Sequence, residues 1–218
     1  MTTKQFRASP FFLRNTFPSN NRWGIPTVHD ETSITLGRLH CQKWIACSNT
    51  CKHEDNPTRR RCAVHHFVGD EHLPNVYANP ERALEKYRQY SLVLTPDYSL
   101  YREMPQAIQV ESVFRSRWMG AYWQSKGLRV IPSVSWSDVF SFEFCFEGLE
   151  KGGVVAVSTV GCRMYGSDKV AFMRGYRALL EQVHPRLVFC YGEPFIGMDT
   201  KECPVASEPY RCPRKGVA

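Results

Sequence analysis

The chain has 218 residues, 43% of them hydrophobic and 13% aromatic, which is enough to bury the core of one good-sized domain and too apolar for wholesale disorder. The 28 Lys and Arg outnumber the 21 Asp and Glu, for a net charge of +7, and this favours an acidic partner such as nucleic acid. No apolar run approaches the roughly 20 residues of a membrane span, and Phe11-Phe12-Leu13 is too short for the core of a secretion signal, so a cytoplasmic chain with no membrane partner is expected.

Residues 1 to 38 carry no sustained periodicity and read as an irregular N-terminal wrap. In the polar stretch that follows, Cys41, Cys47, Cys51 and Cys62 have the spacing C-x5-C-x3-C-x10-C. Such a stretch buries little apolar surface, and a bound metal would supply the missing folding free energy. Four thiolates would hold zinc tetrahedrally or ligate an iron–sulfur cluster, and the spacing does not choose between them. His40, His53, His65 and His66 are nearby substitute ligands, and Cys203 and Cys212 in the tail are within reach of folding back. The plainer alternative is a loop with unpaired thiols. Arg59, Arg60 and Arg61 beside Cys62 form a cationic patch suited to a phosphate backbone. Cys145, Cys162 and Cys190 read as small buried hydrophobes.

From residue 63 onward short apolar runs alternate with helical stretches. Runs at 63–68, 91–94, 129–134, 154–157 and 187–190 predict strands. Helices are predicted from Asn79-Pro80-Glu81 to about Gln89, from about Met104 to Ser125, and from Ser167 to Pro185, with a short helix around Phe142 to Phe146. Met104, Ile108, Phe114, Trp118 and Tyr122 are expected near one face of the long helix. The whole predicts an α/β fold: a mainly parallel five-stranded sheet, open or half-barrel, behind an irregular Cys-rich metal-binding segment. The expected divisions are 1–62, a core of 63–198 and a basic tail of 199–218.

Parallel α/β folds bind ligands at the carboxyl ends of their strands. Polar groups follow every predicted strand here: Asp70; Asp97 and Ser99; Ser135, Trp136, Ser137 and Asp138; Ser158 and Thr159; Tyr191 and Glu193. Each is also an ordinary helix-capping residue type. Asp97 and Asp138 lead as candidate catalytic groups, with Asp70, Ser99 and Glu193 behind them. A carboxylate there would activate water or act as general acid, and two or three together would hold Mg²⁺. Trp136 would stack on a base or sugar ring. Arg115 and Arg117, beside Trp118 and Trp123 on the long helix, suit phosphate contact with stacking, or else structural cation–π pairs. No P-loop, Rossmann glycine fingerprint, zincin motif or nucleophile elbow occurs.

Four blocks carry a resemblance. They are Leu94 to Pro105 (LTPDYSLYREMP), Arg117 to Gln124 (RWMGAYWQ), Val130 to Asp138 (VIPSVSWSD) and Val155 to Gly161 (VAVSTVG). Over about residues 63 to 196 the chain resembles a domain-of-unknown-function family common in bacteriophages and mobile elements. That resemblance implies a phage, mobile-element or phage-defence context and no particular activity. In layout alone the chain is also similar to uracil-DNA-glycosylase-like enzymes, some of which carry a cysteine-bound iron–sulfur cluster. The Gln-Asp-Pro-Tyr type of sequence is absent, with Thr95-Pro96-Asp97-Tyr98-Ser99 in its place.

Three functions stay open from these residues. One is a DNA-acting hydrolase that cleaves a base–sugar bond, with Asp97 activating water, Asp138 assisting and Trp136 stacking on a flipped base. The second is a metal-dependent nuclease using Asp70, Asp97, Asp138 or Glu193. The third is a non-catalytic DNA- or protein-binding module, such as a phage inhibitor of a host factor.

Overall fold

The computed structural model describes residues 2, 17–50, 59–163 and 165–210. Its elements run α1 (Leu36–His40), β1 (Lys43–Ala46), β2 (Cys62–His65), α2 (Pro74–Ala78), α3 (Pro80–Tyr87), β3 (Leu92–Leu94) and α4 (Gln106–Ser125). There follow β4 (Val130–Ile131), a 3-10 turn (Val139–Glu143), β5 (Val154–Ser158), α5 (Gly166–Val183), β6 (Leu187–Tyr191) and β7 (Val205–Glu208). No helix of the described residues is long and apolar enough to cross a membrane.

All the strands run parallel, and their spatial order is their chain order. One sheet is β1-β2-β3-β4 and the other β5-β6-β7. A parallel bridge from Ser133 to Ala156 stitches the two together, with Val134 N–H donating to Ala156 O at 2.8 Å and Ala156 N–H to Pro132 O at 2.9 Å. The array curls. Alternate residues of every strand, among them Trp44, Ala63, Leu94, Ile131, Ala156, Phe189 and Ala206, share one buried cluster. Trp44 of β1 stacks on Phe189 of β6 with ring centroids 3.9 Å apart, although these strands are not neighbours. Leu39 of α1 joins the same cluster, and α1 packs along β7. The intervening strand residues face the helices in two further clusters, so the strands are buried on both faces. The result is two parallel sheets, of four and three strands, curled around a shared core.

Two strands lie outside the expected five. β1, Lys-Trp-Ile-Ala, falls inside the segment expected to be irregular, and β7, Val-Ala-Ser-Glu, falls inside the expected tail. Each is four residues long, too short to declare a period, and each is fixed by pairing with a longer neighbour. Cys47 and Cys62 therefore belong to the core around α3 and α4. The long helix buries Trp118 and Tyr122 of its expected face and packs Phe114 against the core, but it buries polar residues as well. It buries Gln109, Val113, Ser116 and Arg117 and leaves Ile108 exposed.

Two adjacent histidines sit in this core. His66 Nδ1–H donates to Leu94 O at 2.8 Å, which leaves Nε2 to accept from the Tyr87 hydroxyl at 2.9 Å. Burial lowers His66 to about 3, helped by its neighbour His65, and lowers His65 to about 4. His65 Nδ1 is buried without a hydrogen-bond partner, its ring set between Phe67 and Tyr191. Both imidazoles stay neutral in the fold, whereas the unfolded chain binds their protons near 6.5. The stability they contribute is complete above about 6.5 and is lost as pH falls through about 4. Thermal melts from pH 7.5 to 4 are expected to show this fall. His65→Phe, which removes one titrating group and one unsatisfied nitrogen, is expected to make it shallower and to raise Tm at pH 5.

Candidate active site at the strand ends

Sequential parallel order brings the carboxyl ends of the strands to one edge, and the loops that leave them meet there. Asp97 leaves β3, is half-buried, and accepts a hydrogen bond from the Ser135 hydroxyl beyond β4. Asp70, beyond β2, accepts from Ser99 Oγ at 3.1 Å and from Ser99 N–H at 3.3 Å. A small pocket lies between these strand ends and α4. It is lined by Pro96, Asp97, Tyr98, Ser112, Val113, Ser116, Arg117, Ser133 and Ser135. It encloses about 210 Å³, counting the solvent at its mouth, and its floor has room for about one water molecule.

The floor is built around Arg117, which is 2% exposed. Its Nη1 donates to Ser133 O at 2.7 Å and Ser116 Oγ at 3.3 Å, its Nη2 to Cys145 O at 3.1 Å, and its Nε to Glu147 O at 3.2 Å. Ser133 is held in turn: its N–H donates to Thr95 Oγ1 and its hydroxyl to Thr95 O, both at 2.8 Å. Thr95 Oγ1 lies 3.0 Å from Ser116 Oγ. Glycine is required at two places around this network. A Cβ on Gly148, which has φ +72°, would lie 2.2 Å from Pro26 O and 3.1 Å from Arg117 Cγ. A Cβ on Gly120 would lie 2.6 Å from Val28 and 2.8 Å from Thr95.

Burial raises Asp97 from 3.8 to about 6. The charge of Asp70 pushes the same way, while the Ser135 hydrogen bond and the nearby Arg117 charge oppose it. Burial lowers Arg117 to about 10, and Cys145 and Asp97 pull it back, so it remains a cation at neutral pH. Cys162, on the loop after β5, also senses Asp97: burial raises its thiol first, then Asp168 and Asp97 add to the rise. The ends of β3 and β5 thus share one electrostatic environment. Glu193 beyond β6 is tied to that loop, because Thr159 Oγ1 donates to Glu193 O at 2.9 Å and Arg163 pairs with the Glu193 carboxylate at 3.6 Å.

The other candidates stand elsewhere. Asp138 is an N-cap whose carboxylate accepts from Phe140 N–H at 3.0 Å and Ser141 N–H at 3.3 Å. Trp136 packs on Phe172, with centroids 5.1 Å apart, and on Phe146. A Cβ on Gly175 of α5 would meet its indole at 2.2 Å, so this half-buried ring packs closely on α5. Arg117, expected to contact phosphate, is buried for the reasons given. Arg115 pairs with Glu111 at 2.5 Å and lies over the Tyr77 ring. Arg59, Arg60 and Arg61 form a 3-10 turn leading into β2, at the opposite edge from Asp97. Cys41 is exposed, and Cys47 is buried with its thiol raised to about 11, chiefly by burial. Cys51 and Cys212 lie outside the described residues. Among the described residues no group of three or more His, Cys, Asp or Glu side chains is placed to hold a metal ion.

The sequence reading also missed residues. Ser112 and Ser116 line the pocket from α4, where a 3.6 period identifies a buried face but not what that face meets. Tyr101, Phe140 and Tyr165 are 57%, 62% and 65% exposed in loops after β3, β4 and β5. They stand exposed in the segments that follow three of the strand ends, and aromatics placed just beyond strand-end polar groups were the available signal.

The fold and this edge define a parallel α/β protein whose strand ends carry a buried cation and two neighbouring carboxylates. The chain belongs to the family described as Domain of unknown function (DUF4417), whose pattern matches residues 17–207. It is 38% identical over 180 residues to the "Gene 1 protein" of Mycobacterium phage D29, covering 83% of this chain and 64% of that protein. It is 36% identical over 181 residues to the "Gene 1 protein" of Mycobacterium phage L5, covering 83% of this chain and 76% of that one. The chain thus spans just under two thirds of the phage D29 protein's length. No solved structure matches.

Two stability effects follow. Arg117→Met is expected to cost about 3–5 kcal/mol, because it leaves carbonyls unpaired around Asp97; chemical denaturation measures it. Asp97 contributes stability that is complete below about 3.8 and is lost as pH rises through about 6, since the folded state favours its proton. Asp97→Asn removes that loss. The Tm difference between variant and parent is therefore expected to grow in the variant's favour from pH 4 to 7.

Proposed function

We propose that this chain is a hydrolase acting on nucleic acid, with a base–sugar bond as its target and Asp97 as its general base. The observation that carries the reading is Asp97 in the pocket lining at the end of β3, raised to about 6 chiefly by burial, with the charge of Asp70 adding to the rise. A carboxylate raised toward neutral pH by burial suits general acid–base work. At neutral pH Asp97 is mostly ionised and able to take a proton from a water at the pocket floor. Asp70 is held by Ser99.

The charge of this edge favours one bond type. Cleaving a glycosidic bond builds positive charge on the sugar ring, and the Asp97 carboxylate in the pocket lining, with Asp70 nearby, would stabilise it. Attack on a phosphodiester builds negative charge, which the same groups oppose. The exposed Tyr101, Phe140 and Tyr165 offer faces on which an unstacked base can lie. The net charge of +7 and the phage relatives support nucleic acid as the substrate class.

The test is an abasic-site assay in EDTA on single- and double-stranded phage and host DNA. The rate is expected to rise with pH through about 6. Asp97→Asn is expected to lower it by about 100-fold or more. Asp138→Ala is expected to cost about 1 kcal/mol of stability with little change in rate, because that carboxylate caps a turn. Absence of abasic sites on every DNA, or full activity in Asp97→Asn, would overturn the assignment.

A further inference from the structure

The charge of this protein is divided between the two edges of its sheet. The edge that bears Asp97 also bears Asp70, Glu71, Glu103 and Glu193. The opposite edge, where the strands begin, is basic along the four-stranded half. Lys43 opens β1, Arg61 immediately precedes β2, and Arg129 immediately precedes β4. All three are exposed. The register sets them in a staggered row, within two residues of one another along the strand direction: Lys43 is level with Cys62, Ala63 with Leu92, and Val93 with Val130.

Arg88, at the C-cap of α3, and Lys126, at the C-cap of α4, are exposed beside the row. Among the described residues none of these five cations forms an ion pair. Glu81 and Glu85 lie on α3, and Glu81 is engaged with the Tyr122 hydroxyl. The backbone beneath the row is clasped by one side chain. Gln42 Nε2 donates to Arg61 O, and Gln42 Oε1 accepts from Ser91 Oγ at 3.1 Å, so β1, β2 and β3 are joined at their starts. Near β6, by contrast, Arg186 is tied to Asp30 at 3.0 Å.

We propose that this basic edge is a docking surface for a nucleic-acid backbone, separate from the Asp97 pocket. From Lys43 to Arg129 the row crosses three strand spacings, about 14 Å, and with Arg88 and Lys126 beside it there are enough cations for about four phosphate contacts. An edge of exposed, unpaired cations suits a polyanion, and the phage relatives support nucleic acid as that polyanion. A duplex held here faces away from Asp97, so the edge anchors the protein while the pocket works on another segment. The inference rests on the reading that nucleic acid is the partner, and not on the chemistry assigned to Asp97.

The test is fluorescence anisotropy of a labelled 20-base-pair duplex with the full chain across a salt series. Four phosphate contacts predict a slope of log K against log salt of about −3.6, and so about a 100-fold loss of affinity from 50 to 200 mM. Lys43→Glu/Arg61→Glu/Arg129→Glu is expected to reduce the slope to about −1 and to abolish most binding at low salt. The neutral triple Lys43→Gln/Arg61→Gln/Arg129→Gln, checked for an unchanged Tm, guards against a folding defect. Arg102→Glu, a charge reversal at the other edge, is expected to bind like the parent. Parent-like binding and slope in both triples would overturn the proposal, as would capture by phosphatidylserine vesicles without binding to duplex. A chain that binds through this edge and makes no abasic sites would retain the anchor and remove the hydrolase.

Discussion

The buried guanidinium of Arg117 is the constraint on which the rest of the site depends. A cation without water must have its donors satisfied, and here they are spread over Ser116, Ser133, Cys145 and Glu147. Those acceptors come from α4, from the stretch after β4 and from the connection to β5. One side chain therefore fixes a helix, a strand end and a crossover against one another. Ser133 extends the effect, because it also bonds Thr95 after β3 and bridges to Ala156 of β5. The seam between the two sheets and the floor of the pocket are the same polar network.

That network explains why Asp97 is unusual among the strand-end acids. Asp138 meets the free N–H groups of a turn and serves as a cap. Glu193 is exposed and shares an arginine. Asp97 is desolvated close to Asp70, and Arg117 offsets this only in part because its donors point to carbonyls. Residues of one chemical type thus acquire different roles from their surroundings alone. The curl of the sheet, with Trp44 stacked on Phe189, gathers the strand ends close enough for this to happen. It also leaves the strand starts as a separate edge with the opposite charge.

Much of the fold was legible. The runs at 63–68, 91–94, 129–134, 154–157 and 187–190 are strands β2 to β6, and the helices at Pro80, Gln106 and Gly166 start within two residues of expectation. Apolar runs between helical stretches leave few alternatives to a parallel sheet, and that is a local property of the chain. Strands β1 and β7 were not legible, because four residues hold no period and these strands exist only through their partners. The convergence of polar strand ends followed from βα alternation, and the structure has it.

The sequence by itself determined the α/β class, the strand-end location of the polar groups and the excess of positive charge. These depend on residue type and order along the chain. Tertiary structure alone decided which of those groups form a site. Trp136 and Asp138 read as strongly as Asp97 did, yet one packs on Phe172 and Gly175 and the other caps a turn. Arg117 read as a surface cation and is the most buried charge of the pocket. The physical reason is the same in each case. Burial, the approach of a second charge and the supply of hydrogen-bond partners are set by segments far apart in sequence, and a spacing pattern records none of them.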